Sequence, residues 1–135
     1  MTTVNRYVWR PEDSAIIEAA AAAAWSAALR LLPNGGTIWN KWKYEDVEAG
    51  ARDAVGHVVG MALTRKRPRV NTRDLRGRAM NAALNALATP EVLAVIARVY
   101  TEVQAMGETT EKAHGRVRAV VSLALYENMT KGGHH

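Results

Sequence analysis

Residues 11–32 read PEDSAIIEAAAAAAWSAALRLL, and this stretch decides the fold class. Pro11 suits the first turn of a helix, where its missing N–H is not needed, and Glu12 and Asp13 complement the positive end of the helix dipole. Alanine has the highest helix propensity, and an unbroken run extends from Ala19 to Ala24. Pro33-Asn34-Gly35-Gly36 then stops the helix. Ile17, Ala21, Ala24, Ala28 and Leu32 fall on one stripe, and the alanines make the helix thin all round, so a neighbour can approach closely. A seam within the domain is the default expectation, and a homo-oligomer seam is the sharper alternative.

Outward from this helix the pattern repeats. A second helix is expected from about Tyr44 to Lys66, with Val47, Ala51, Ala54, Val55, Val58 and Ala62 as its core stripe and Val59 and Leu63 on another side. Apolar residues on two faces suggest a central helix. Gly50, Gly56 and Gly60 each cost about 1 kcal/mol against alanine in a helix interior, which suggests close backbone approach, most simply by the alanine helix. Asn71 is expected to cap a third helix, with Asp74 three residues on and Leu75, Ala79, Ala82, Ala83 and Ala86 facing inward. Thr89-Pro90-Glu91 is a strong start for a fourth, which buries Val92, Val95, Ile96, Val99, Val103 and Met106 and stops at Gly107. A fifth, from about Thr110 to Met129, buries Ala113, Val117, Val120, Val121 and Ala124. No alternating strand pattern or hairpin turn appears. The expectation is an all-α, single-domain bundle of about five helices: an N-terminal arm over 1–10, a helical domain over 11–131, and a C-terminal 132–135 that reads as the start of an expression tag.

The chain has 135 residues, no cysteine and no phenylalanine. Disulfides, thiolate nucleophiles and cysteine-ligated zinc are therefore excluded. No run of 18 to 20 uncharged apolar residues and no basic-then-apolar leader occurs, so neither membrane insertion nor export is expected and a cytoplasmic location is. High Ala, Arg and Val usage suggests a GC-rich bacterial or phage source.

The charge is concentrated. Eighteen Lys and Arg stand against thirteen Asp and Glu, a formal +5. Arg65, Lys66, Arg67, Arg69, Arg73, Arg76 and Arg78 lie within one short segment whose single acid is Asp74, and this segment accounts for the whole imbalance. Arginine suits forked hydrogen bonding to phosphate or carboxylate, and a cluster of cations attracts polyanions through counterion release. Three readings follow: contact with nucleic acid, contact with an acidic protein surface, or plain solubility. Arg73 and Arg76 sit on one flank of the third helix and Arg78, Asn81 and Asn85 on the other, and Arg and Asn are the types that read guanine and adenine edges. Lys41, Trp42 and Lys43, with Trp39 nearby, interleave aromatics and cations and would support the same surface by stacking. The competing expectation is that Trp39 and Trp42 fold back into a core that has no phenylalanine.

Catalytic patterns do not assemble. Glu111 and His114 have the spacing of a di-iron ligand pair, but Asp53 and His57 are four apart and no further set completes the shell. Asn34-Gly35-Gly36 lacks the Lys-Ser or Lys-Thr of a phosphate loop, and Ser14, Ser26 and Ser122 lack the strand-turn-helix setting of a nucleophile. Glu45, Asp46, Glu48 and Asp53 could bind Mg²⁺, but Glu48 and Arg52 stand one turn apart and more simply pair. No enzymatic activity and no cofactor are expected, and the alternative to nucleic-acid binding is a non-enzymatic interaction or assembly protein of the phage or mobile-element type, binding a host protein or itself.

Three further stretches, Ala28-Leu29-Arg30-Leu31-Leu32, Tyr44-Glu45-Asp46-Val47 and Leu75-Arg76-Gly77-Arg78-Ala79-Met80-Asn81-Ala82-Ala83-Leu84, occur in that order. Over about residues 25–87 the chain thereby resembles region 2 of bacterial sigma factors. The resemblance implies a transcription-related role, with Glu45, Asp46 and Glu48 near a polymerase-binding helix and Arg76, Arg78 and Asn81 facing DNA. Glu48-Ala49-Gly50 and Asp74-Leu75 depart from the family's pattern.

Overall fold

The computed structural model describes residues 7–32 and 41–132. It contains α1 (Pro11–Leu29), α2 (Lys41–Thr64), α3 (Leu75–Leu87), α4 (Pro90–Ala105) and α5 (Thr110–Gly132), with no strand among the described residues. The all-α bundle of five helices is as the sequence implies. Its ends differ by a few residues. The last residues of the alanine stretch, to Leu32, form a turn after α1, α2 starts at Lys41 and stops at Thr64, and α5 runs on to Gly132.

The core is built from small β-branched and alanine side chains. Ile17, Ala21, Ala24, Ala28 and Leu32 are all buried, as are Val47, Ala51, Ala54, Val55, Val58 and Val59 on two sides of α2. Trp25 supplies much of the bulk that phenylalanine would give, and its ring meets Tyr44 edge-on at 6.0 Å. Leu84, Leu87 and Leu125 are fully buried although the alanine-centred stripes passed over them. Met106 and Val120, expected inside, are only half-buried.

Two expectations about contacts are corrected. The alanine face of α1 packs chiefly on α3, and α2 packs most closely on α3 as well. The glycine that permits this approach is Gly50: a Cβ there would overlap the carbonyl oxygen of Arg76 and come within 2.9 Å of Ala79 Cβ. Gly56 and Gly60 face open space, so neither forms a seam with α1. The cap of α3 also differs. Asp74, not Asn71, is the N-cap, and its Oδ1 accepts from Gly77 N at 2.7 Å. Asn71 instead folds the preceding turn, its Oδ1 accepting from Arg73 N at 3.0 Å. A Cβ at Gly77 would overlap the Asn71 carbonyl, so this turn can lie on α3 only where the helix has no side chain.

These contacts fix the chain direction. Asp53 in the middle of α2 meets Arg76 at the start of α3, while Arg67, three residues beyond α2, reaches Asn85 near the end of α3. Helix α3 therefore runs in the same sense as α2, and residues 65–74 double back beside it. Arg65 starts the reversal with φ 60, a left-handed position usually given to glycine, and its N–H donates to Met61 O at 2.7 Å. After α3 the chain bends by 80° into α4, whose N-cap Thr89 accepts from Val92 N.

Residues 1–6 of the expected arm lie outside the described residues, and residues 7–10, with the start of α1, are tied down across α4. Asp13, 2% exposed, pairs with Arg98 at 2.5 Å, and Glu102 takes Arg10 at 3.0 Å and the Tyr7 hydroxyl at 2.5 Å. Burial, and then the hydrogen bond to Glu102, push the Tyr7 phenol up to about 12. The neutral phenol is thus favoured by the fold. Its contribution is complete below pH 10, the unfolded value, and is lost as pH climbs through about 12. Tyr7→Phe should accordingly show a shallower fall in melting temperature between pH 10 and 12 than the wild type.

Steric contrast among the glycines gives a second prediction. Gly50→Ala should destabilise the fold by about 1–3 kcal/mol through overpacking. Gly56→Ala, in open space, should stabilise it by about 0.5–1 kcal/mol. Urea unfolding of both variants measures the two signs.

Candidate nucleic-acid interface

The doubled-back segment 65–74 and the outer strip of α3 form one surface. Arg65, Lys66, Arg67, Arg69, Arg73, Arg76 and Arg78 are all exposed. Their surroundings differ. Arg76 is neutralised: its Nε and Nη2 donate to Asp53 Oδ2 at 2.9 and 2.7 Å, and Asp46 adds to the field. This pairing raises the Arg76 pKa further above its ordinary value. Arg67 donates to the neutral Asn85 side chain and keeps its charge uncompensated. Among the described residues Arg65, Lys66, Arg69, Arg73 and Arg78 form no ion pair.

The amide side chains are less available than the wheel pattern implies. Asn81 is half-buried, and the Asn85 carbonyl oxygen already accepts from Arg67. Helix α3 packs on both α1 and α2, with Ala79, Ala83, Leu84 and Leu87 fully buried. Only a narrow strip through Arg78 and Asn85 faces outward, so α3 does not stand clear of the bundle as a helix inserted into a major groove must.

Lys41, Trp42 and Lys43 lie on the first turn of α2. Trp42 is 79% exposed and does not plug the core, which corrects the competing expectation for this residue. Trp39 lies outside the described residues. Lys41 is 3.8 Å from Glu45, one turn on. Trp42 shares a face of α2 with Asp46 and Asp53, the latter about 16 Å further along the axis. Two carboxylates, Asp46 and Asp53, follow Trp42 along that face before Arg76 is reached, a break that the linear sequence did not reveal.

Acidic groups considered for metal binding are used otherwise. Glu48 pairs with Arg52 at 3.4 Å as expected, Glu45 with Lys41, and Asp53 with Arg76. No three His, Asp or Glu side chains converge among the described residues. His114 keeps a buried Nε2 with no partner, and Glu108 is bound by Arg116 at 2.7 Å, which lowers its pKa below the ordinary carboxylate value.

Comparison with known proteins finds no matching family model, no similar curated protein and no similar solved structure.

The Asp53–Arg76 pair generates a prediction. It is solvent-facing, so its loss should leave the melting temperature almost unchanged. Asp53→Ala leaves the exposed Arg76 guanidinium without its ion pair. If the cations of this surface contact phosphate, anisotropy titration with duplex DNA should then show a few-fold tighter binding than wild type and a salt slope steeper by about one unit.

Proposed function

We propose that this chain binds nucleic acid, DNA in preference to RNA, through the surface made by residues 65–78. The observation that carries the reading is the group of six exposed cations without ion pairs, Arg65, Lys66, Arg67, Arg69, Arg73 and Arg78, along one doubled-back stretch of chain and the helix beside it. Charges left unpaired next to one another repel, and a fold that keeps them together does so at some cost in stability. A polyanion removes that cost and releases its own counterions.

Phosphate contacts dominate this mode of binding, because the side chains suited to base reading are half-buried or already engaged. Weak sequence preference is the consequence. The resemblance of residues 25–87 to sigma factor region 2 is the reason to place DNA first and to read the chain as a transcription-related regulator. An acidic protein surface would use the same cations, and it is distinguished by its insensitivity to nuclease. No enzymatic role is proposed.

Arg69, Arg73 and Arg78 are exposed, carry no ion pair, and can be replaced together by Gln without disturbing a core contact. In a fluorescence-anisotropy titration between about 50 and 200 mM salt, the triple variant should lose roughly 2–3 units of the log–log salt slope with duplex DNA. An unchanged slope would rule this surface out.

A further inference from the structure

Between Gly115 and Tyr126 the outermost line of α5 carries no charged residue, while the exposed Lys112, Arg116, Arg118 and Glu127 stand at its end and along its flanks. Gly115, Ala119, Ser122, Leu123 and Tyr126 are exposed on the side opposite the buried Val117, Val121 and Ala124. Leu123 and Tyr126 are 58% and 52% exposed, two of the four large apolar side chains so open among the described residues. A groove of about 470 Å³, lined by Arg52, Val55, Ala119, Ser122, Tyr126 and Met129, runs along one side of this ridge. Another of about 250 Å³, with Trp9, Ile17 and Val120 in its walls, runs along the other. Arg52 lies 5.9 Å from the Tyr126 ring centre and covers one side of it.

We propose that this face binds a second copy of the chain, α5 against α5 in antiparallel orientation about a two-fold axis. A two-fold contact requires that whatever residue i meets, its own counterpart meets in return. The face meets that condition in shape. Gly115 and Tyr126 stand eleven residues apart, about 16 Å along the axis. Centring the crossing between Val120 and Val121 sets each tyrosine against the partner's glycine, where nothing lies within 4 Å of the missing Cβ. The same register sets Ala119 against Ser122, small against small. It is also complementary in charge. Arg116 and Glu127 are likewise eleven apart and project on the same flank of the helix, so antiparallel pairing brings each arginine within about half a turn of the partner's glutamate. Glu127 forms no ion pair of its own among the described residues. The ridge and its two grooves supply the shape by which helices interdigitate.

A single helix pair makes a small interface, so the dimer is of moderate affinity, formed at micromolar concentration and above. Helix α5 packs on α1, α2 and α4, whereas α3 packs on α1 and α2. The basic surface along α3 therefore stays outside the contact, and the proposal is independent of what that surface binds.

Sedimentation equilibrium of the full chain without nucleic acid, from about 1 to 500 µM, tests this. The weight-average mass should rise from 14.7 kDa toward twice that value. Gly115→Leu should weaken association at least ten-fold while keeping helical content and melting temperature at or above wild type, because the position is open and leucine is the better helix former. Arg116→Glu and Glu127→Arg should each weaken self-association. Mixing those two variants in equal amounts should restore it, since each altered charge then faces its opposite. Arg116 also holds Glu108 in its own chain, so the mixing result, not the single variant, decides. A constant 14.7 kDa at every concentration overturns the proposal and leaves the face to a different protein. A dimer indifferent to Gly115→Leu, or a mixture no tighter than its components, overturns it equally.

Discussion

Two positions without side chains hold the architecture together. At Gly50 the backbone of α2 lies directly against the backbone of α3, and at Gly77 the start of α3 lies against the carbonyl of Asn71. Any larger residue at either place would push α3 away from its neighbours. Because α3 is held in the same sense as α2, the chain must travel back along the bundle between them, and residues 65–74 make that journey on the outside. The arginines are exposed because of that topology. Backbone contact on the inside of α3 thus produces the charged surface on the outside.

Electrostatics divides the same residue types into different roles according to burial. Arg98 is held by the nearly inaccessible Asp13, and Glu102 gathers Arg10 and Tyr7, so these charges fasten the N-terminal arm across α4. Arg76 is spent on Asp53 and helps to clamp α3 to α2. Arg65, Lys66, Arg69, Arg73 and Arg78 have no such duty among the described residues. Removing a partner from a buried pair strands a charge, whereas the free cations respond mainly to salt and to ligands.

The outer face of α5 adds a second surface whose character is apolar. On the proposed readings the molecule is two-sided, with a polyanion surface along α3 and a self-association face along α5, and α1 and α2 lie between them. Two copies joined through α5 would carry two basic surfaces on one body, and a nucleic acid long enough to reach both would be held by effective concentration as well as by contact.

Helical periodicity, alanine content and the Thr89-Pro90 start were enough to establish five helices and most of the buried stripe, because these signals act over a few residues and need no distant partner. The concentration of positive charge was equally plain. Four things needed the tertiary structure. Gly50 could not be told from Gly56 and Gly60, since a glycine's use depends on what approaches it. The Asp53–Arg76 pair joins residues 23 apart, and its loss of one cation from the patch follows from packing alone. Trp42, ambiguous between core and surface, was decided by where α2 begins relative to the rest of the bundle. The apolar outer face of α5 read as an ordinary helix until the opposite side was seen to be full. Local propensity is written in neighbouring residues, but exposure and neutralisation are properties of what the fold brings near.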